Sequence, residues 1–126
     1  MNILITSAAS ALAQGLASAL SGEHQIRLTD LIDVETDLEF VRCDLGHDEA
    51  TNKLVQGIDT IVHVAQLPPS VLAESNQPEN TEIDFQIRCT YNLLMAAVEE
   101  NVSRATYAPT HPNLSLIHIS EPTRPY

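Results

Sequence analysis

Ser7, Ala8, Ala9 and Ser10 carry little side-chain bulk and stand between a short apolar run and a helical pattern. A turn of that kind leaves backbone N–H groups open at the start of a helix. Those unpaired donors, together with the positive end of the helix dipole, suit a pyrophosphate. Asp30 closes the next apolar run. An acid in that position accepts hydrogen bonds from ribose hydroxyls, which favours NAD over NADP.

The elements that must position these groups follow from the apolar pattern. Asn2-Ile3-Leu4-Ile5-Thr6 reads as a strand buried on both faces. Ala11, Leu12, Gly15, Leu16, Ala19 and Leu20 recur at helical spacing, and Gln25 to Asp30 reads as a second strand. Strand, small-residue turn, helix, strand and acid is the layout of a dinucleotide-binding βαβ unit.

On these residues the chain resembles the amino-terminal part of the NAD-dependent epimerase/dehydratase family, the extended short-chain dehydrogenases/reductases. That family opens with a strand and T-G-x-x-G-F-[IL]-G, which Thr6, Ser7, Ala8, Ala9, Ser10, Ala11, Leu12 and Ala13 match position by position. Its fingerprint glycines read here as Ser7, Ser10 and Ala13, and Gly15 is out of register. Ser7 and Ser10 bring a Cβ and a hydroxyl toward the pyrophosphate path, and a positive φ is costly for a serine.

Further along, Leu38-Glu39-Phe40-Val41-Arg42 reads as a third strand running into Cys43-Asp44-Leu45, similar to the family's D-[LIV] element. The resemblance gives Asp44 the adenine amino group and Leu45 the adenine ring, while capping of the next helix (residues 49–56) is an equal use for Asp44. Ile58-Asp59-Thr60-Ile61-Val62-His63-Val64-Ala65 resembles the family strand that passes under the cofactor, with Gln66 in place of a small residue. His63 marks the family and reads as a core histidine rather than a catalyst. Residues 66–82, broken by Pro68, Pro69 and Pro78, read as a long irregular connection that in the family borders the nicotinamide and substrate pocket.

Ile83, Ile87, Tyr91, Leu94 and Val98 then recur at helical spacing, with Ala97 on the same face. Thr90-Tyr91-Asn92-Leu93-Leu94-Met95-Ala96-Ala97 matches the family's T-x-N-L-L-x-A-A helix without a gap. A fifth strand spans residues 102–108, and Thr110 falls where the family carries a catalytic Ser or Thr.

Residues 1–113 are therefore expected to form one incomplete NAD(P)-binding domain. Residues 114–126 read differently: residues 114–124 match an in-frame translation of a sequencing-library mosaic end and adapter, and the segment is expected to be a non-native tail on a truncated parent. Catalysis in the family needs a Tyr-x-x-x-Lys pair, the lysine helping to lower the pKa of a tyrosine base. Lys53 is the only lysine, and Glu49 stands four residues before it. The resemblance thus implies a fragment that is inactive by itself.

Composition bounds the rest. The chain has 126 residues, 44% of them apolar, enough for one cored domain. Its 17 acidic against 6 basic residues give a formal charge of −11, which repels polynucleotides. Cys43 and Cys89 are too few for a disulfide framework or a spaced metal site, so no metal is expected. The first residues lack a basic leader region and no stretch is long and apolar enough to span a bilayer, so a cytoplasmic protein without a membrane partner is expected.

The expected fold is a truncated, doubly wound Rossmann-type α/β sheet of about five parallel strands in order 3-2-1-4-5. The resemblance implies the pyrophosphate and adenine half of an NAD site, through Ser7, Ser10, Leu12, Asp30, Asp44, Leu45 and Ala65. For the parent it implies an oxidoreductase acting on a sugar nucleotide or a similar hydroxyl or carbonyl substrate, and it leaves room for a homodimer. A non-catalytic dinucleotide sensor or scaffold on the same fold is the alternative, motivated by the missing glycines.

Overall fold

The computed structural model describes residues 1–46 and 49–108, and the backbone of residues 117–120. Strands β1 (Asn2–Ile5), β2 (Gln25–Asp30), β3 (Glu39–Arg42), β4 (Thr60–His63), β5 (Arg104–Tyr107) and β6 (Ile117–Ser120) form one sheet in order β3-β2-β1-β4-β5-β6. The first five are mutually parallel in the expected order. β6 lies in the segment set apart by the sequence and pairs antiparallel with β5.

Alternation along β1 divides the core. Leu4 joins Ile61 and Ala105 against α2 (Thr51–Val55) and α4 (Pro78–Glu99), in a cluster that includes Leu54, Val55, Cys89 and Leu93. Ile3 and Ile5 face the other way, with Ile26 and Leu28, against α1 (Ala11–Leu20) through Ala13 and Ala17. With helices on both faces, Ile3, Leu4 and Ile5 are all buried, as expected of a central parallel strand.

The helix faces differ from the sequence expectation. α1 buries Ala13 and Ala17 with Leu16 and Leu20 partly covered, while Leu12 is 42% exposed. α4 turns Cys89, Leu93, Ala96 and Ala97 to the sheet and leaves Ile83, Ile87, Tyr91 and Val98 exposed. Small side chains let a helix approach the sheet closely, so they, rather than the bulky stripe, occupy the contact. α4 also begins earlier than expected, with Pro78 at its first position, where a missing N–H costs nothing. The connection before it holds a short helix, α3 (Pro69–Ala73), likewise opened by proline.

The amino ends of the strands are tied by side chains. Asp59 Oδ2 accepts the Asn2 N–H at 2.8 Å. Arg27 donates to Glu39 at 2.6 Å and to the carbonyls of Leu54 and Gln56, fastening β3 and α2 to β2.

Candidate functional site

β2 leaves β1 on one side and β4 on the other, so the chain changes direction across the sheet between β1 and β4. A crevice at the carboxyl ends of such strands is where open α/β sheets bind ligands. A cleft of about 210 Å³ lies there, lined by Ala9, Ser10, Ala11, Asp30 and residues 66–69. A larger hollow of about 390 Å³ opens at the opposite, amino end, where Arg27 is already engaged by Glu39 and two carbonyls.

The turn after β1 is built from backbone bonds and two serines. Ser7 adopts φ +55°, the left-handed conformation that a glycine would take without strain. Its hydroxyl does not enter the cleft: Ser7 is 5% exposed, and Oγ accepts the Gln66 N–H at 2.8 Å. Ser10, in extended backbone, is the N-cap of α1; its Oγ accepts the Ala13 N–H at 3.2 Å and its carbonyl accepts Gln14 N. Among the first-turn donors this leaves the N–H groups of Ala11 and Leu12 without a partner among the described residues. The fit to a pyrophosphate therefore rests on those two backbone donors and the helix dipole, with both serine hydroxyls turned to structural use.

Asp30 closes β2 and is 5% exposed. Oδ2 accepts the Ala9 N–H at 2.8 Å and Oδ1 the Leu31 N–H at 2.7 Å. Burial raises its pKa from the usual carboxylate value, and the two backbone donors oppose that shift. A carboxylate has about four lone-pair sites, so acceptor capacity remains for ribose hydroxyls. The same carboxylate orients the turn, since Ala9 borders the cleft.

β4 supplies the far wall. Ala65, fully buried, adopts φ +58° and swings the chain so that Gln66 meets Ser7. Beneath it, Thr6 Oγ1 accepts the Val64 N–H at 2.9 Å and lies 2.8 Å from His63 Nδ1, while His63 Nε2 lies 3.0 Å from Thr90 Oγ1. Tyr107 of β5 stacks beside the imidazole with ring centroids 5.6 Å apart. Burial pushes the His63 pKa down to about 4, so the ring is neutral at pH 7 and joins β1, β4, β5 and α4.

The cleft thus brings together Ser10 and Asp30, with Ser7 and Ala65 behind its walls. Leu12 lies outside the cleft lining, one residue beyond Ala11, and its backbone N–H has no partner among the described residues. Asp44 and Leu45 stand after β3, outside the cleft lining. Asp44 Oδ1 accepts the Gly46 N–H at 3.0 Å, and the N-cap of α2 is Ala50 without a side-chain bond, so Asp44 does not cap that helix. The Leu45 side chain is 4% exposed in the α2–α4 core. Thr110 lies outside the described residues. Ala9 and Ala11, part of the small-residue turn and helix start read from the sequence but not among its named contacts, line the cleft. Among the described residues no group of His, Cys, Asp or Glu could hold a metal ion, and no helix is long and apolar enough to cross a membrane.

The profile of the NAD dependent epimerase/dehydratase family matches residues 4–121. L-arabinose 1-dehydrogenase (NAD(P)(+)) of Haloferax volcanii is 28% identical over 98% of this chain, which spans 46% of that protein. Uronate dehydrogenase from Agrobacterium tumefaciens is 29% identical with TM-score 0.57, over 79% of this chain and 37% of its own. A short-chain dehydrogenase/reductase from the same organism, with bound NAD, shares the fold at TM-score 0.72 and 21% identity, over 85% of this chain and 32% of its own.

Proposed function

The chain belongs to the NAD dependent epimerase/dehydratase family, and from that premise we propose that it forms the dinucleotide-binding front of an oxidoreductase acting on a sugar or sugar derivative. The observation that carries this reading is one convergence. The unpartnered N–H groups at the start of α1 and the Asp30 carboxylate meet at a single cleft beside β4. Ala11 and Leu12 hold the pyrophosphate by their N–H groups, Asp30 takes the adenosine ribose hydroxyls, and Ser7 and Ala65 fix the two walls. Asp44 is the candidate for the adenine end.

A bound nicotinamide would supply hydride exchange with a carbinol carbon of the substrate. The names of the arabinose and uronate dehydrogenases support a sugar or sugar acid as well as a sugar nucleotide. The chain spans less than half the length of those relatives and carries no Tyr-x-x-x-Lys pair. Its own contribution is cofactor binding.

Titration calorimetry of the full chain with NAD tests the proposal. Saturable heat, abolished by Asp30→Ala in a variant that remains folded, is expected; no heat at millimolar NAD overturns it. The sensor reading draws on the absence of the fingerprint glycines, and it gains ground if NAD binds while a longer parent carrying this chain shows no hydride transfer to sugars.

A further inference from the structure

The turn before α1 is held at one peptide from two sides. Asp30 Oδ2 accepts the Ala9 N–H at 2.8 Å, and the Ala8 carbonyl accepts an N–H from Gln14 Nε2 at 2.6 Å. A trans peptide is planar, with its C=O and the following N–H pointing opposite ways. The peptide between Ala8 and Ala9 is therefore a rigid plate gripped at both edges, by a carboxylate from β2 and a carboxamide from α1. Gln14 is half-buried, and its own backbone N–H donates to the Ser10 carbonyl at 3.1 Å. Its side chain thus reaches back across the turn from a backbone already locked in the helix.

The other bonds of the turn fix its path. The Ala8 N–H donates to the Thr29 carbonyl at 3.0 Å, and the Ser10 N–H to the Ser7 carbonyl at 2.9 Å. With those donors spent, the aim of the Ala11 and Leu12 N–H groups follows from the orientation of the Ala8–Ala9 plate. Rotating that plate would turn the Ala8 carbonyl toward Asp30, against its carboxylate and against an incoming phosphate. Building on the dinucleotide reading, the geometry points to Gln14 as a positioning residue for the cofactor. Its carboxamide holds the turn in the orientation that presents the α1 N–H groups to the pyrophosphate, from a place outside the cleft lining. An amide suits that place, since it donates to a carbonyl without adding a charge beside the anion.

The test is titration of the full chain, by calorimetry for NAD and ADP and by NMR for the weaker ligand adenosine. Wild type is expected to bind all three, adenosine through Asp30 without the pyrophosphate contacts. Gln14→Met keeps a side chain of similar length but loses the donor, and is expected to weaken NAD and ADP about three- to tenfold. Adenosine should stay within about twofold, because the Leu31 N–H still holds Asp30 Oδ1. Its retention also reports that the variant is folded. Gln14→Asn, whose amide is one methylene too short to reach Ala8, should repeat the result and replaces the methionine variant if that one does not fold. Unchanged NAD and ADP affinity, or equal weakening of all three ligands, overturns the role of Gln14 and leaves the dinucleotide site standing. Failure of wild type to bind NAD overturns the two together.

Discussion

Ser7 Oγ accepts the Gln66 N–H at 2.8 Å while Ser7 itself stands at φ +55°. One residue therefore carries a strain and the bond that offsets it. The strain comes from the turn that must follow β1, and the bond ties that turn to the end of β4.

The two parts of this relationship separate by substitution. Ser7→Ala keeps the strained φ and leaves the Gln66 N–H without its acceptor, and is expected to destabilise the chain by about 1–2 kcal/mol. Ser7→Gly loses the same acceptor but relaxes the backbone, so it should recover about 1 kcal/mol relative to alanine. Urea unfolding of the three proteins measures both differences. An alanine variant as stable as wild type would mean that the Ser7–Gln66 bond contributes nothing.

His63 gives the fold a pH dependence. Its pKa is about 4 in the folded chain, against about 6.5 in the unfolded one. Between those values the unfolded chain takes up a proton that the folded chain refuses, so stability is fully present above pH 6.5 and is lost as pH falls toward 4. The slope approaches roughly 1.4 kcal/mol per pH unit. Asp30 acts in the opposite sense, because its raised folded pKa adds stability as pH falls through it. Comparing urea midpoints of wild type and His63→Asn at pH 7, 6 and 5 cancels the shared Asp30 contribution. The slope should be shallower in the variant, and equal slopes would refute a neutral buried ring.

The two sides of α4 should respond oppositely to mutation. Ile87 is 68% exposed and Leu93 is 1% exposed. Ile87→Gln is expected to stay within about 0.5 kcal/mol of wild type. Leu93→Ala should cost about 2–5 kcal/mol through lost contacts and a residual cavity. Thermal or urea unfolding decides this, and a large loss from Ile87→Gln would mean that the bulky stripe is covered after all.

Much of the fold was legible along the chain. Apolar runs and helical spacings occur in an order that the right-handed crossover reduces to few topologies, and the acid at the end of β2 lines the crevice. The family motifs at residues 6–13, 58–65 and 90–97 marked where those elements lie along the chain. The apolar stripe of α4 misled because periodicity identifies a helix without saying which of two apolar faces meets the sheet. Close approach there favours Cys89, Ala96 and Ala97 over the larger Ile87 and Tyr91.

The site divides along the same line. Residue type and spacing alone determined that a small-residue turn, a helix start and Asp30 would converge at one end of a parallel sheet, because those are properties of a βαβ unit. Only the tertiary structure decided that the Ser7 and Ser10 hydroxyls turn to Gln66 and Ala13, that Asp30 orients the turn through Ala9, and that β3 pairs with β2 in the register that sets Arg42 opposite Asp30. Those relations depend on backbone dihedrals and on the register between strands distant in sequence, which no local pattern of residues encodes.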